Sequence, residues 1–273
     1  MTNFICPVCG NELIRNENTY KCIRNHSFDI SRKGYVNLLM SQNSKNKQHG
    51  DDKLMVRARR DFLNKGYYSR FMEGICETIN KYASCGDTIL DAGCGEGYYT
   101  NNIKKVLLKN NKDADIFAID ISKNALELTN REHKDINRAV ASVFKIPMAS
   151  DSCDILINIF APFSDEEYKR VIKPCGKLIL AIPLENHLMG LKKAVYDKPY
   201  KNEVMDYKID GYEFLEEKKV IYDIFLKTNE DIQSLFMMTP YYYKTSRQDF
   251  LKLNNYSSLK TELEFAILVY QKK

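Results

Sequence analysis

Leu90-Asp91-Ala92-Gly93-Cys94-Gly95-Glu96-Gly97-Tyr98-Tyr99-Thr100 is the stretch that decides how this chain folds. An apolar strand over 88–92 runs into three glycines at G-x-G-x-G spacing, and a helical pattern over about 98–109 follows. Glycine lets a backbone turn sharply and come close to a ligand. A dinucleotide turn is instead spaced G-x-G-x-x-G and aims a helix N-terminus at a pyrophosphate. Here Asp91 lies two residues before Gly93, and Glu96 stands between Gly95 and Gly97. Carboxylates repel a pyrophosphate and attract a cation. S-adenosylmethionine has no phosphate but carries a sulfonium and an ammonium, so the charges favour it over a nicotinamide.

Downstream, strands are expected at 115–120, 137–142, 154–160 and 177–183, with helices at about 122–133 and 165–172. That alternation predicts a parallel sheet with helices on both faces. Continuous apolar runs such as Ile155-Leu156-Ile157-Asn158-Ile159-Phe160 suit buried parallel strands. Asp120 closes the second strand, where an acidic side chain takes ribose hydroxyls in such folds, and Ala141-Ser142 should flank the adenine. Helices are expected before the first strand (52–64 and 68–83) and after the last (186–196, 229–238 and 246–254), with further strands at 219–227 and 262–271. Tyr241-Tyr242-Tyr243 reads either as a stacking surface for an extruded base or as an aromatic strand.

At the other end of the chain, Cys6-x2-Cys9-x12-Cys22-x3-His26 has zinc-ligand spacing in every interval. Four protein ligands leave no open coordination position, so one structural zinc is expected. A module of this size cannot build a sufficient core alone, and the metal would supply its folding energy. Of the other cysteines, Cys94, Cys153 and Cys175 read as core thiols. The expected division is 1–40 for the zinc module, 41–84 for a linker and connecting helices, and 85–273 for the α/β domain.

With 44% hydrophobic residues, the 273-residue chain has material for a packed core. It has neither an 18-residue apolar run nor a signal-peptide pattern at its start, so a cytoplasmic, membrane-free protein is expected. The net charge of +5 divides unevenly. Residues 1–80 hold 13 Lys and Arg against 8 Asp and Glu, while 81–273 hold 28 of each. The whole basic surplus thus lies in the N-terminal third, which suits either a phosphate-backbone footprint or a solvated face. Arg57, Arg59 and Arg60 on one helix carry the same two alternatives. His49 and His133 read as solvated surface residues.

Longer stretches carry a resemblance. They include Cys6-Pro7-x-Cys9, Cys22-x3-His26-x-Phe28-Asp29, Lys33-Gly34-Tyr35-Val36-Asn37-Leu38-Leu39 and Gly50-Asp51. They continue with Ala58-Arg59-Arg60-x-Phe62-Leu63-x2-Gly66-x-Tyr68, the glycine loop, Ala161-Pro162, His187-Leu188 and Met238-Thr239-Pro240. Over nearly its whole length the chain resembles the RlmA/TlrB group of 23S ribosomal RNA guanine-N1 methyltransferases. The resemblance implies a Rossmann-like class I S-adenosylmethionine-dependent methyltransferase domain behind a zinc module that helps grip the RNA. It implies cofactor contacts from Tyr68, Gly95, Glu96, Asp120 and His187, which join Asp91, Gly93 and Gly97 from the loop itself. The implied substrate is a guanine in a hairpin loop of 23S domain II, and a homodimer follows by analogy. Asn158-Ile159-Phe160-Ala161-Pro162 looks like the Gram-positive subgroup and the glycine loop like the other, so the target guanine stays open. Cys175 stands where a glycine is usual in the group, and Phe163 is a second departure.

Asn158, at the end of the fourth strand, is the candidate for orienting the base. Two rival functions share parts of this pattern. One is a methyltransferase of small molecules or proteins, for which a zinc module and basic surplus have no use. The other is a non-catalytic zinc-dependent RNA-binding protein, against which the intact acidic and glycine positions speak.

Overall fold

The computed structural model describes residues 3–40, 50–129 and 133–273. The chain opens with four short strands, β1 (Ile14–Asn16), β2 (Thr19–Lys21), β3 (Ser27–Asp29) and β4 (Tyr35–Asn37), followed by helices α1 (Lys53–Asn64) and α2 (Ser69–Tyr82). Then come β5 (Thr88–Ala92), α3 (Tyr98–Lys109), β6 (Asp115–Asp120), α4 (Lys123–Leu128), β7 (Asn137–Val140), β8 (Cys153–Ile159), α5 (Asp165–Val171) and β9 (Ile172–Pro183). The C-terminal part adds α6 (Met189–Val195), β10 (Tyr212–Leu226), α7 (Asn229–Met237), α8 (Tyr241–Lys244), α9 (Arg247–Leu251) and β11 (Leu259–Lys272).

Strands β1, β2 and β3 form a small antiparallel sheet. The large sheet runs β10-β11-β9-β8-β5-β6-β7-β4. Its strands from β9 to β4 are parallel, whereas β11 is antiparallel to both β9 and β10. The order reverses at β5, which lies between β6 and β8. The carboxyl ends of these strands therefore open a crevice at a topological switch point, where open α/β sheets bind ligands.

Successive strand residues point to opposite faces, so the sheet has two cores. One face carries Ile89, Ile116, Ile155, Ile179 and Ile267 and packs against α2, α3, α6 and α7. The other carries Leu90, Phe117, Leu156, Leu178 and Leu268. No helix was expected between the strands at 137–142 and 154–160, and residues 141–152, between β7 and β8, form none. The zinc module occupies that place. Phe4, Leu13 and Tyr20 are buried in the same cluster as Leu90 and Phe117, and Phe4 meets Phe117 edge-on at 5.0 Å. Ile5 N–H donates to the Pro147 carbonyl at 2.9 Å, and Tyr20 OH donates to Asn137 Oδ1 at 3.2 Å. Among the described residues, helical cover on this face comes from α5 alone, through Tyr168 and Val171.

Several expected elements change length. Strand β9 begins at Ile172 and β10 at Tyr212, both earlier than the apolar pattern suggested. Helix α4 ends at Leu128, and part of the expected 122–133 helix, like His49, lies outside the described residues. Tyr241-Tyr242-Tyr243 forms a helical turn instead of a strand. Cys175 is exposed, not packed, and its φ of 63° explains why a glycine suits that turn. His133 is half-buried, with Nε2 lacking a partner among the described residues, so it is not simply a solvated side chain.

Among the described residues, no helix is long and apolar enough to cross a membrane.

Candidate functional site: the cofactor crevice and the zinc centre

The glycine loop is held by the neighbouring strand. Gly93 and Cys94 N–H groups both donate to the Ile119 carbonyl, at 2.8 and 3.0 Å. Asp120 then binds both sides of the crevice: Oδ2 accepts from Gly95 N–H at 2.9 Å and Oδ1 from Ser122 N–H at 2.7 Å. Each oxygen keeps a lone pair for a further donor such as a hydroxyl. Gly93, Gly95 and Gly97 all have positive φ (97°, 57° and 83°), which L side chains rarely adopt. A Cβ on Gly93 would lie 2.3 Å from Ala161 Cβ, so the segment after β8 rests directly on the loop.

Four carboxylates gather here. Asp91 is buried and accepts from Thr100 Oγ1 at 2.6 Å, and burial raises its pKa to about 7. Glu96 is 6% exposed, burial raises its pKa, and Oε2 has no hydrogen-bond partner among the described residues. Asp120 and Asp51 complete the set. A buried carboxylate oxygen without a donor is costly unless a ligand supplies one. An ammonium or a hydroxyl fits that position, as S-adenosylmethionine would offer; a phosphate does not.

Beside these acids, Arg59 of α1 is ion-paired with Asp51 at 2.5 Å. Burial opposes its charge, but Asp51 and then Glu96 keep its pKa above the ordinary value. Of the three arginines considered for RNA contact, Arg59 thus turns inward to the loop, and Arg60 pairs with its neighbour Asp61. Pattern alone missed this, because an arginine on an amphipathic helix usually reads as surface charge. Gly50-Asp51 meets the end of β6 through Ser122 Oγ, which donates to the Asp51 carbonyl at 2.8 Å.

Tyr68 and His187 share one neighbour, Phe265 of β11. Tyr68 meets it edge-on at 5.3 Å and His187 lies 4.4 Å from it. Phe71 stacks on Phe265 at 4.1 Å, and Phe160 stacks on Phe71 at 5.4 Å. His187 Nδ1 accepts from Glu264 N–H at 3.2 Å, which places the ring proton on Nε2. Burial, with Lys192 nearby, lowers the pKa of His187 to about 3. The unfolded imidazole protonates near 6.5, so stability should fall as pH drops from 6.5 towards 3. An NMR titration should show no His187 transition between pH 8 and 4.5; a midpoint near 6.5 would contradict this burial.

The segment after β8 is also built locally. Asn158 Nδ2 donates to Tyr168 OH at 2.7 Å and to the Pro162 carbonyl at 3.1 Å, while Oδ1 accepts from Ala161 N–H at 3.1 Å. Its amide ties residues 158–162 and Tyr168 together. Phe160, which pattern reading did not single out, has φ of 60° and is 46% exposed. A bulky residue in that conformation is strained, and surrounding contacts must hold it. Ala141, expected beside the adenine, is buried, and its N–H donates to the Asp120 carbonyl at 3.0 Å; Ser142 Oγ accepts from Phe144 N–H at 3.2 Å.

The second centre lies in the N-terminal module. The ligand atoms of Cys6, Cys9, Cys22 and His26 all lie within 4.8 Å of one another. Cys9 Sγ to Cys22 Sγ is 3.6 Å, and His26 Nδ1 is 3.5 Å from Cys6 Sγ and 3.4 Å from Cys22 Sγ. A tetrahedral zinc requires edges of about 3.8 Å between thiolates and about 3.5 Å between thiolate and imidazole. The set fits one closed, structural zinc, with His26 coordinating through Nδ1. Asn11 Nδ2 donates to Cys9 Sγ at 3.2 Å and lowers that thiol's pKa to about 6, favouring the thiolate a metal needs.

Comparisons with known proteins agree with both centres. A family model for the RlmA N-terminal zinc ribbon matches residues 4–47, and a methyltransferase-domain model matches 83–235. The 23S rRNA (guanine(748)-N(1))-methyltransferase of Streptomyces fradiae is 32% identical over 193 residues, covering 70% of this chain and 66% of that enzyme. YxjB of Bacillus subtilis (strain 168), provisionally named a 23S rRNA (guanine-N(1)-)-methyltransferase, is 32% identical over 208 residues, covering 72% of this chain and 70% of that one. The solved structure of the YcgJ protein from Bacillus subtilis superposes with a TM-score of 0.50 at 14% identity, covering 74% of this chain and 97% of that one, and supports the fold alone.

Proposed function

Because the chain belongs to the family of 23S rRNA (guanine-N1-)-methyltransferases, we propose that it transfers a methyl group from S-adenosylmethionine to N1 of one guanine in a domain II hairpin loop of 23S rRNA. The observation that carries the cofactor half is Glu96 Oε2, buried without a donor among the described residues in a glycine loop whose other side is closed by Asp120. In this reading Asp91, Gly93, Gly95, Glu96, Gly97 and Asp120 hold the cofactor, with Tyr68 and His187 reaching it across Phe265.

When bound, the cofactor supplies an electrophilic methyl on a sulfonium. The chain's own task is to bring guanine N1 in line with that methyl in a dry crevice. N1 carries a proton at neutral pH, which must leave as the new bond forms. Residues 158–162 form the wall that receives the base, at the carboxyl end of β8 and against Gly93. The candidate role of Asn158 becomes positioning: its amide ties Ala161, Pro162 and Tyr168 into one shape. Asn158→Ala should lower kcat on an RNA hairpin by roughly tenfold or more, from the loss of about 1–3 kcal/mol of buried hydrogen bonding. Cofactor affinity measured by calorimetry should change little, and full activity of the variant would remove Asn158 from the site.

The decisive experiment is methyl transfer to 23S rRNA from a strain lacking this gene, followed by mass mapping of the product. A single new N1-methylguanine is expected. A methyl group on another atom, or none, would overturn the proposed reaction.

A further inference from the structure

The crevice holds four carboxylates and a guanidinium, and the cofactor proposed for it carries one negative group of its own. Asp51, Asp91, Glu96 and Asp120 suit the ammonium, the sulfonium and the ribose hydroxyls. They are unfavourable neighbours for the carboxylate of the methionyl moiety, which must be met by a cation to be buried among them.

We propose that Arg59 is the residue that receives the cofactor's carboxylate, an inference that rests on the cofactor reading above. Three observations carry it. Arg59 projects from α1 into the glycine loop: its Nη1 lies 3.7 Å from where a Cβ on Gly95 would stand. Its other terminal nitrogen, Nη2, is held by Asp51 at 2.5 Å, which fixes the guanidinium plane and leaves the Nη1 edge turned to the loop. Its charge is felt by Glu96 and Asp120, the two acids at the loop's mouth. A planar guanidinium anchored along one edge presents its remaining donors in a fixed fork, the geometry that matches a carboxylate. The absence of a side chain at Gly95 keeps the space before Nη1 open.

Asp51 is then a positioning residue. It tethers Arg59 and also joins the Gly50-Asp51 segment to the end of β6 through Ser122. The assembly would distinguish ligands by their carboxylate and not by their methyl group.

The test compares two ligands that differ only in that carboxylate: S-adenosylhomocysteine and its decarboxylated form, S-adenosyl-3-thiopropylamine. Calorimetry on the zinc-loaded full chain should show wild type preferring the first by roughly 10- to 100-fold, the range of one charge-assisted pair. Arg59→Met should abolish that preference, weakening S-adenosylhomocysteine while leaving the decarboxylated ligand unchanged or tighter. Asp51→Asn, which keeps the cation, should retain the preference at reduced size. Thermal unfolding and zinc content, matched to wild type, exclude misfolding. Equal weakening of both ligands in Arg59→Met would make the arginine merely structural and overturn the assignment. If wild type bound neither ligand, the cofactor reading would fail, and the assignment with it.

Discussion

Replacing Cys22 with serine, or stripping zinc with a strong chelator, is expected to disrupt far more than the N-terminal module. Apparent zinc affinities of such sites correspond to about 10–16 kcal/mol of folding free energy, as much as the entire stability of a typical domain at about 5–15 kcal/mol. Without the metal, the short strands β1 to β3 have little to hold them, because their own apolar content is small. Their docking residues, Phe4, Leu13 and Tyr20, would leave Phe117, Leu90 and Ile119 uncovered. Those last residues sit on β5 and β6, the strands that carry Asp91 and Asp120. The zinc-free protein should therefore melt well below the loaded one, bind a hydrophobic dye, and lose S-adenosylmethionine binding. Retention of cofactor affinity and melting temperature after verified loss of zinc would mean that the ribbon is an appendage of the sheet and not its cover.

The second large effect is expected from Gly93→Ala. The position combines a φ of 97° with a neighbour 2.3 Å from the new methyl group. Backbone strain alone costs about 1–3 kcal/mol, and the overlap can be relieved only by moving Ala161 and the loop that Asn158 has fixed. Both walls of the crevice would shift together. Cofactor affinity should fall by roughly 100-fold, equivalent to about 3 kcal/mol, and methyl transfer should fall further, since the wall proposed to receive the base moves as well. Ala161→Gly in the same chain removes the clashing partner and should recover part of the loss. Wild-type affinity in Gly93→Ala would show that this close contact is not kept in solution.

What could be read from the residues, and what could not, divides along a physical line. The glycine loop, Asp120 and the zinc ligands are legible because each is a local pattern: a spacing, a strand end or a charge next to a turn. The even alternation of strands and helices gave the parallel sheet for the same reason. Arg59 escapes, because its role depends on Asp51 being brought against the end of β6, and nothing in Ala58-Arg59-Arg60 records that approach. Phe160 escapes because it looks like the last residue of an apolar strand, and the reversal of its φ leaves no trace in residue type. Tyr35-Val36-Asn37 reads as part of the small module, yet it pairs with β7 as the outermost parallel strand of the large sheet. Parallel pairing between distant segments has no local signature. That the zinc module covers the face where a helix between β7 and β8 could pack was likewise unreadable, since the element that takes this place comes from a distant part of the sequence.

That replacement imposes an order on synthesis. The ribbon leaves the ribosome before the surface it must cover, which needs β6 and β7, with Tyr20 waiting for a partner 117 residues downstream. During translation its apolar side chains have no permanent home, and contacts of such long range form slowly. Early capture of zinc would keep Phe4, Leu13 and Tyr20 grouped through that interval, so metal supply during translation, as much as in the finished protein, should set the yield of folded chains.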